Sequence, residues 1–175
     1  MIKQFVPSEV CLKCKGCCRF REIDSVWAPC LMDEEIQDFL DKESLPPAFI
    51  SMDKRIRPIS NPLAQERPEE PGYTCAFFDI DKNMCKIYDE RPFECRLYPF
   101  LLSMRNKKVL LTVDLNCPYA QEKLKTPEFK EYADYLTSYL NQPATIRLLT
   151  DNPHLLQAYE EVLDIAELKL PDEAQ

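Results

Sequence analysis

Glycine is nearly absent from this chain, with two among 175 residues. A loop that cradles phosphate on bare backbone needs several, so a glycine-rich nucleotide loop is excluded. Histidine is down to one, His154, at the start of an expected helix, where a solvated side chain is the default reading. Basic residues are outnumbered, and the formal net charge of -8 argues against a nucleic-acid partner. Long apolar runs are missing, so no membrane span is expected. Met1 to Val10 lacks the charged start, apolar stretch and small-residue cleavage site of a secretory signal, which points to a reducing cytoplasmic setting. With so little glycine, turns fall to proline (15 residues), asparagine and aspartate, or to bound metal. Gly16 lies inside a cysteine-rich loop, where it offers either a positive φ or room for a sulfur to approach the backbone.

What the chain does have is cysteine. There are nine, and four of them fall in C-L-K-C-K-G-C-C from Cys11 to Cys18. An odd count forbids complete pairing as disulfides, and in a reducing compartment such clusters bind metal more often than they oxidise. Thiols three residues apart wrap one positive centre, as in the C-x2-C knuckle of zinc sites and the C-x2-C-x2-C run of ferredoxins. Thiolate is the ligand form, and Lys13, Lys15 and Arg19 beside the cluster favour it. Cys30 has no partner at ligand spacing and reads as a buried hydrophobe. That leaves Cys11, Cys14, Cys17, Cys18, Cys75, Cys85, Cys95 and Cys117. Eight thiolates suit two zinc sites of four, two clusters such as [4Fe-4S], or one cluster and a smaller site. Arg91 and Arg96 are candidates to offset the negative charge of a thiolate-rich centre; for Arg91 the competing reading is a salt bridge to Glu94. Tyr88 and Tyr98 read as packing.

Composition, 45% hydrophobic and 30% charged, fits an ordinary folded domain. Phe20 to Pro29 alternates like a short strand. Asp33 to Lys42 reads as an amphipathic helix capped by Asp33, with Ile36, Phe39 and Leu40 on one side. Residues 51–72 are proline-broken and irregular, either a cover or partner-binding loop or a plain insertion. Tyr73–Ile80 and Met84–Tyr88 form an expected hairpin with Cys75 and Cys85 on its arms. Asp89 should cap a helix through Arg91 to Tyr98. Phe100–Arg105 and Val109–Leu115 make a second hairpin. Thr126-Pro127-Glu128 is a strong helix start, with Tyr135 and Tyr139 as packing surface, and Asn152-Pro153 should start another helix carrying Leu155, Tyr159, Val162 and Ala166. The expectation is an α+β fold: a metal-stapled part of short hairpins and helices (1–118), then a helical C-terminal extension (119–175) packed on the same domain.

The C-x2-C-x2-C-C start, the cysteine hairpin and C-K-I-Y-D-E-R-P-F-E-C-R-L-Y-P from Cys85 to Pro99 together resemble the YkgJ-type cysteine-cluster family, a zinc- or iron-chelating domain. The resemblance runs from residue 11 to about 118 and implies that the eight cysteines are ligands. A flagellin lysine N-methylase carries a similar motif with an iron–sulfur cluster and S-adenosylmethionine. The resemblance therefore also implies an alternative, an iron–sulfur methylase or redox enzyme. The scarcity of glycine argues against methyl transfer. Metal ions are the expected partners, with any protein partner unidentified.

Overall fold

The computed structural model describes residues 2–14, 16–42 and 46–170, so the expected role of Lys15 lies outside the described residues. The fold is α+β, and the chain forms two compact units, Ser8–Cys95 and Met1–Pro7 with Arg96–Gln175.

The unit Ser8–Cys95 is built from very short pieces. In order these are α1 (Ser8–Cys11), β1 (Arg19–Phe20), α2 (Asp33–Asp41), β2 (Ile59–Ser60), β3 (Tyr73–Thr74), β4 (Phe78–Asp79), β5 (Met84–Cys85) and α3 (Phe93–Leu97), the last reaching the unit's end. β3 pairs antiparallel with β1 on one side and β2 on the other, while β4 and β5 form a separate hairpin. Phe20, Leu31, Phe39, Ile56, Phe77 and Phe78 make the core.

Four local expectations change here. The strand expected over Phe20–Pro29 stops at Phe20. The Val26 and Ala28 carbonyls, which a ladder would need, instead accept from the buried Arg55 guanidinium at 2.6 and 2.8 Å. Helix α2 begins at Asp33 itself, so its cap lies one residue before the expected one. Met32 occupies the cap, and Glu35 reaches back to accept from its backbone N–H at 3.0 Å, half of a capping box. Cys75 is not on a hairpin arm but in the turn before β4, where the Phe78 N–H donates to the Cys75 carbonyl at 2.9 Å. The helix expected from Asp89 splits into a 3-10 turn, Tyr88–Glu90, and α3, because Arg91 precedes Pro92 and is held extended at φ -55°, ψ 142°. Within 51–72, Ile56 is buried in the core and β2 joins the small sheet, so this stretch is partly built into the unit.

The second unit has longer elements. β6 (Phe100–Arg105) and β7 (Lys108–Asp114) form the expected hairpin, and Asn106 and Lys107 make its turn at φ 52° and 60°. Two consecutive positive φ angles are what a tight two-residue hairpin turn requires. α4 (Pro118–Lys123) follows, then α5 (Pro127–Leu140), whose Thr126 hydroxyl accepts from the Phe129 N–H at 3.3 Å, as its sequence signal predicts. α6 (Pro143–Asp151) was not foreseen. The helix expected from Asn152 does not form: Pro153–Leu155 is a single 3-10 turn, and Val162–Glu167 is a strand, β8, antiparallel to β7. Asn152, at φ -126° and ψ 60°, ends α6. Glu161, at φ 58°, turns the chain into β8, breaking the helical register that Leu155 to Ala166 suggested. Lys108 and Glu167 join β7 to β8 at 2.7 Å. Phe100, Leu102, Leu111, Val113, Leu136 and Leu140 are fully buried. Phe5 packs edge-on against Phe100 and Phe129 at 5.5 and 5.6 Å.

Candidate metal centre

The N-terminal cysteine stretch is a sequence of tight turns. The Cys14 N–H donates to the Cys11 carbonyl at 3.1 Å, and the Arg19 N–H to the Gly16 carbonyl at 3.0 Å. Gly16 does not use a positive φ; a Cβ there would sit 3.4 Å from the Cys14 sulfur, so its open side gives that sulfur room. Pairing of β1 with β3 then sets Cys18 beside Cys75, whose N–H donates to the Cys18 carbonyl at 2.9 Å. The hairpin register places Cys85 opposite Phe78, and Cys95 rides on α3.

Two sulfurs receive backbone hydrogen bonds from the residue two positions on: Cys75 from the Phe77 N–H and Cys85 from the Ile87 N–H. Such donors stabilise a thiolate and tune metal–thiolate centres. Arg91 supplies a full positive charge. Its Nε donates to the Tyr88 carbonyl at 2.7 Å, its guanidinium stacks on the Tyr88 ring at 3.7 Å, and its Nη1 lies 3.8 Å from the Cys11 sulfur. Tyr88 also hydrogen-bonds the Cys11 sulfur. The sequence singled out Arg91 by its charge. Its pairing with Tyr88 and the N–H donors depended on the turns around Cys75 and Cys85, which cysteine spacing alone does not specify.

The thiols lie in one another's electrostatic field. Cys11 is raised above the ordinary thiol value by burial and then by Cys17, with Arg91 opposing. Cys17 is raised well above it, first by its hydrogen bond with Cys18 and then by burial, with Cys14 also contributing. Burial pushes Cys75 up to about 12, with Cys85 and Cys17 adding to it. Cys85 is raised by burial, against the Ile87 N–H and Arg91. Cys95 is raised well above the ordinary value by burial, then by Cys75 and Cys17. Cys17 is exposed, whereas Cys30, Cys75 and Cys117 are buried.

Seven of the eight expected ligand cysteines are thus placed in one unit. Cys117, at the cap of α4, belongs to the other unit, as does Arg96. Cys30 is fully buried, its N–H donates to Glu94 at 2.5 Å, and burial then Glu94 push its thiol up to about 12. Tyr98, in the second unit, donates to Asp114 at 2.8 Å. All nine cysteines are among the described residues, and none is in a disulfide. Among the described residues, no three His, Cys, Asp or Glu side chains stand close enough to share an ion as placed. The sulfurs are near enough to feel each other's charge but not drawn into a finished shell. Chemically the set fits a thiophilic ion, with soft donors, N–H groups aimed at sulfur and one cation to offset their charge.

A unit of short turns that carries eight of the nine cysteines, none in a disulfide, points to the class of thiol-rich metal-binding proteins. The chain belongs to the CxxCxxCC family, whose model, described as "Putative zinc- or iron-chelating domain", matches residues 10–118. It is also similar to the uncharacterized protein MJ0661 of Methanocaldococcus jannaschii, 30% identical over 136 residues that cover 74% of this chain and 69% of the relative. No solved structure matches. Among the described residues no helix is long and apolar enough to cross a membrane.

Proposed function

We propose that Cys11, Cys14, Cys17, Cys18, Cys75, Cys85, Cys95 and Cys117 hold zinc, or iron as a [4Fe-4S] cluster, through their thiolates, and that the bound metal organises the unit Ser8–Cys95. The observation that carries this reading is the match to a zinc- or iron-chelating family over residues 10–118, supported by seven of these thiols, none in a disulfide, lying in four stretches of one unit. Thiols this crowded and buried resist losing their protons; a dication reverses that balance and turns mutual repulsion into shared attraction. Arg91, and Arg96 beside Cys95 in sequence, offset the surplus negative charge. Reduced thiols of this kind belong in the cytoplasm.

Metal analysis and a visible spectrum of anaerobically purified protein test the reading. Expected is zinc in a colourless protein, or iron with sulfide-to-iron absorption in a brown one, bound at whole-number stoichiometry. Protein that folds fully and carries no zinc or iron after reconstitution overturns it.

A further inference from the structure

Arg19 follows Cys18 directly, and its N–H donates to the Gly16 carbonyl at 3.0 Å, which closes the turn carrying Cys17 and Cys18. Its side chain leaves that turn for the β4–β5 hairpin. The guanidinium lies over the Phe78 ring at 4.5 Å, and Nη2 donates to the Asn83 carboxamide oxygen at 2.9 Å. Phe78 closes the turn that carries Cys75 and stands opposite Cys85 in the hairpin register. Asn83, at φ 53°, lies two residues before Cys85, in the hairpin's own turn. The Glu70 carboxylate, 3.5 Å from Nε, is a third anchor. This side chain is only 5% exposed, yet among the described residues its Nη1 has no hydrogen-bond partner. Neither has the hydroxyl of Thr74, the fully buried residue opposite Arg19 in the β1–β3 register. A charge buried in this way is a poor source of stability, since an apolar side chain of like size often fills such space as well or better. What a flat fork of donors adds is fixed geometry.

We infer that Arg19 is a positioning residue of the proposed metal site, holding the turn of Cys17 and Cys18 in register with the hairpin turns that carry Cys75 and Cys85. This rests on the metal-binding reading above. The role lies in the shape of the guanidinium rather than in its charge, which is all that its place beside the cluster in sequence suggested. Lysine has no fork: one ammonium cannot cover Phe78, meet Asn83 and face Glu70 together. Loss of the hold leaves every thiol in the chain but lets the two groups slip, so that an ion gathers fewer sulfurs at once.

The test loads full-length protein with cadmium and reads two quantities, the affinity and the thiolate-to-cadmium absorption per bound ion. Arg19→Lys and Asn83→Gly are each expected to weaken cadmium binding by about tenfold, the low end of what losing a supporting partner costs a metal site, and to lower the absorption per ion. The two together should cost little more than Arg19→Lys alone, since both break one contact. Thr74→Val, opposite Arg19 but outside the hold, keeps both quantities at the wild-type value. Glycine at position 83 tolerates the positive φ, so that variant decides the question even if Arg19→Lys fails to fold. Wild-type behaviour in either variant overturns the inference, and in Arg19→Lys it does so in favour of charge alone. Weaker binding with unchanged absorption per ion overturns it in favour of a general loss of folding, as does an equal loss in Thr74→Val. Each of these leaves metal binding intact, whereas a wild-type chain that takes up no cadmium overturns both readings.

Discussion

The two units use different means to hold their shape. In Ser8–Cys95 every strand among the described residues is two residues long, α1 and α2 span four and nine residues, and the five-residue α3 only begins there. Pieces so short are marginal alone, since neither a helical turn nor a two-residue ladder repays its ordering entropy. In the other unit a six-residue strand pairs with a seven-residue one, a third strand joins, and a 14-residue helix carries four buried side chains. That unit can be held by burial. The cysteine-rich one has a small aromatic core, and on the proposed reading metal–thiolate bonds would cross-link it without oxidation.

The strongest way to break this contrast is to remove the metal. A thiophilic chelator should strip amide-exchange protection from residues 16–20 and 73–87 while leaving that of Leu102 and Leu111 in place. Structural zinc supplies on the order of 10 kcal/mol in small metal-folded units, so the loss should be complete in the first region. Equal loss in both would mean that the two share one source of stability.

Single cysteines come next. Cys85→Ser or Cys14→Ser should lower bound metal and destabilise the unit. Cys30→Ser should leave metal content unchanged and cost about 1–3 kcal/mol, from placing a hydroxyl where the chain is fully buried. Its thiol, pushed by burial from the ordinary thiol value near 9 up to about 12, stays neutral in the folded protein. The stability this lends is fully present below pH 9.0 and is lost as pH rises toward about 12. Alkaline unfolding should therefore begin later in Cys30→Ala than its neutral-pH destabilisation alone implies. A fall in metal content in Cys30→Ser would make Cys30 a ligand. In the other unit, Leu111→Ala, at a fully buried position, should cost about 2–5 kcal/mol with metal content untouched. Calorimetry with metal analysis separates these cases.

How much of this was legible in the sequence follows the same division. The β6–β7 hairpin and the start of α5 were readable because alternation, turn residues and a capping threonine all act locally. The cysteine set was readable because spacing is local too, and Cys30 stood out by lacking it. The turns of the thiol unit were not, because what fixes them is remote: Arg55 takes the carbonyls of Val26 and Ala28, and Glu35 bonds both Met32 and, at 2.6 Å, the Phe93 N–H. β8 was missed for a related reason. Leu155, Tyr159, Val162 and Ala166 fit a helical face, but β7 offers an edge that Val162–Glu167 pairs with, and pairing outweighed periodicity.

The scarcity of glycine gives the smallest test. Asn106 and Lys107 both sit at positive φ in the β6–β7 turn. Asparagine tolerates that conformation, whereas lysine pays about 1 kcal/mol for crowding of its Cβ. Glycine at the second position of such a turn is strongly preferred, though it also loosens the unfolded chain and returns part of the gain. Lys107→Gly should therefore raise stability by about 0.5 kcal/mol, read as a higher denaturant midpoint with an unchanged slope, and should leave metal content alone. The sheet unit tolerates this strain because the long β6–β7 ladder over-determines the turn. A destabilised Lys107→Gly would mean that the lysine side chain, rather than the ladder, holds the hairpin closed.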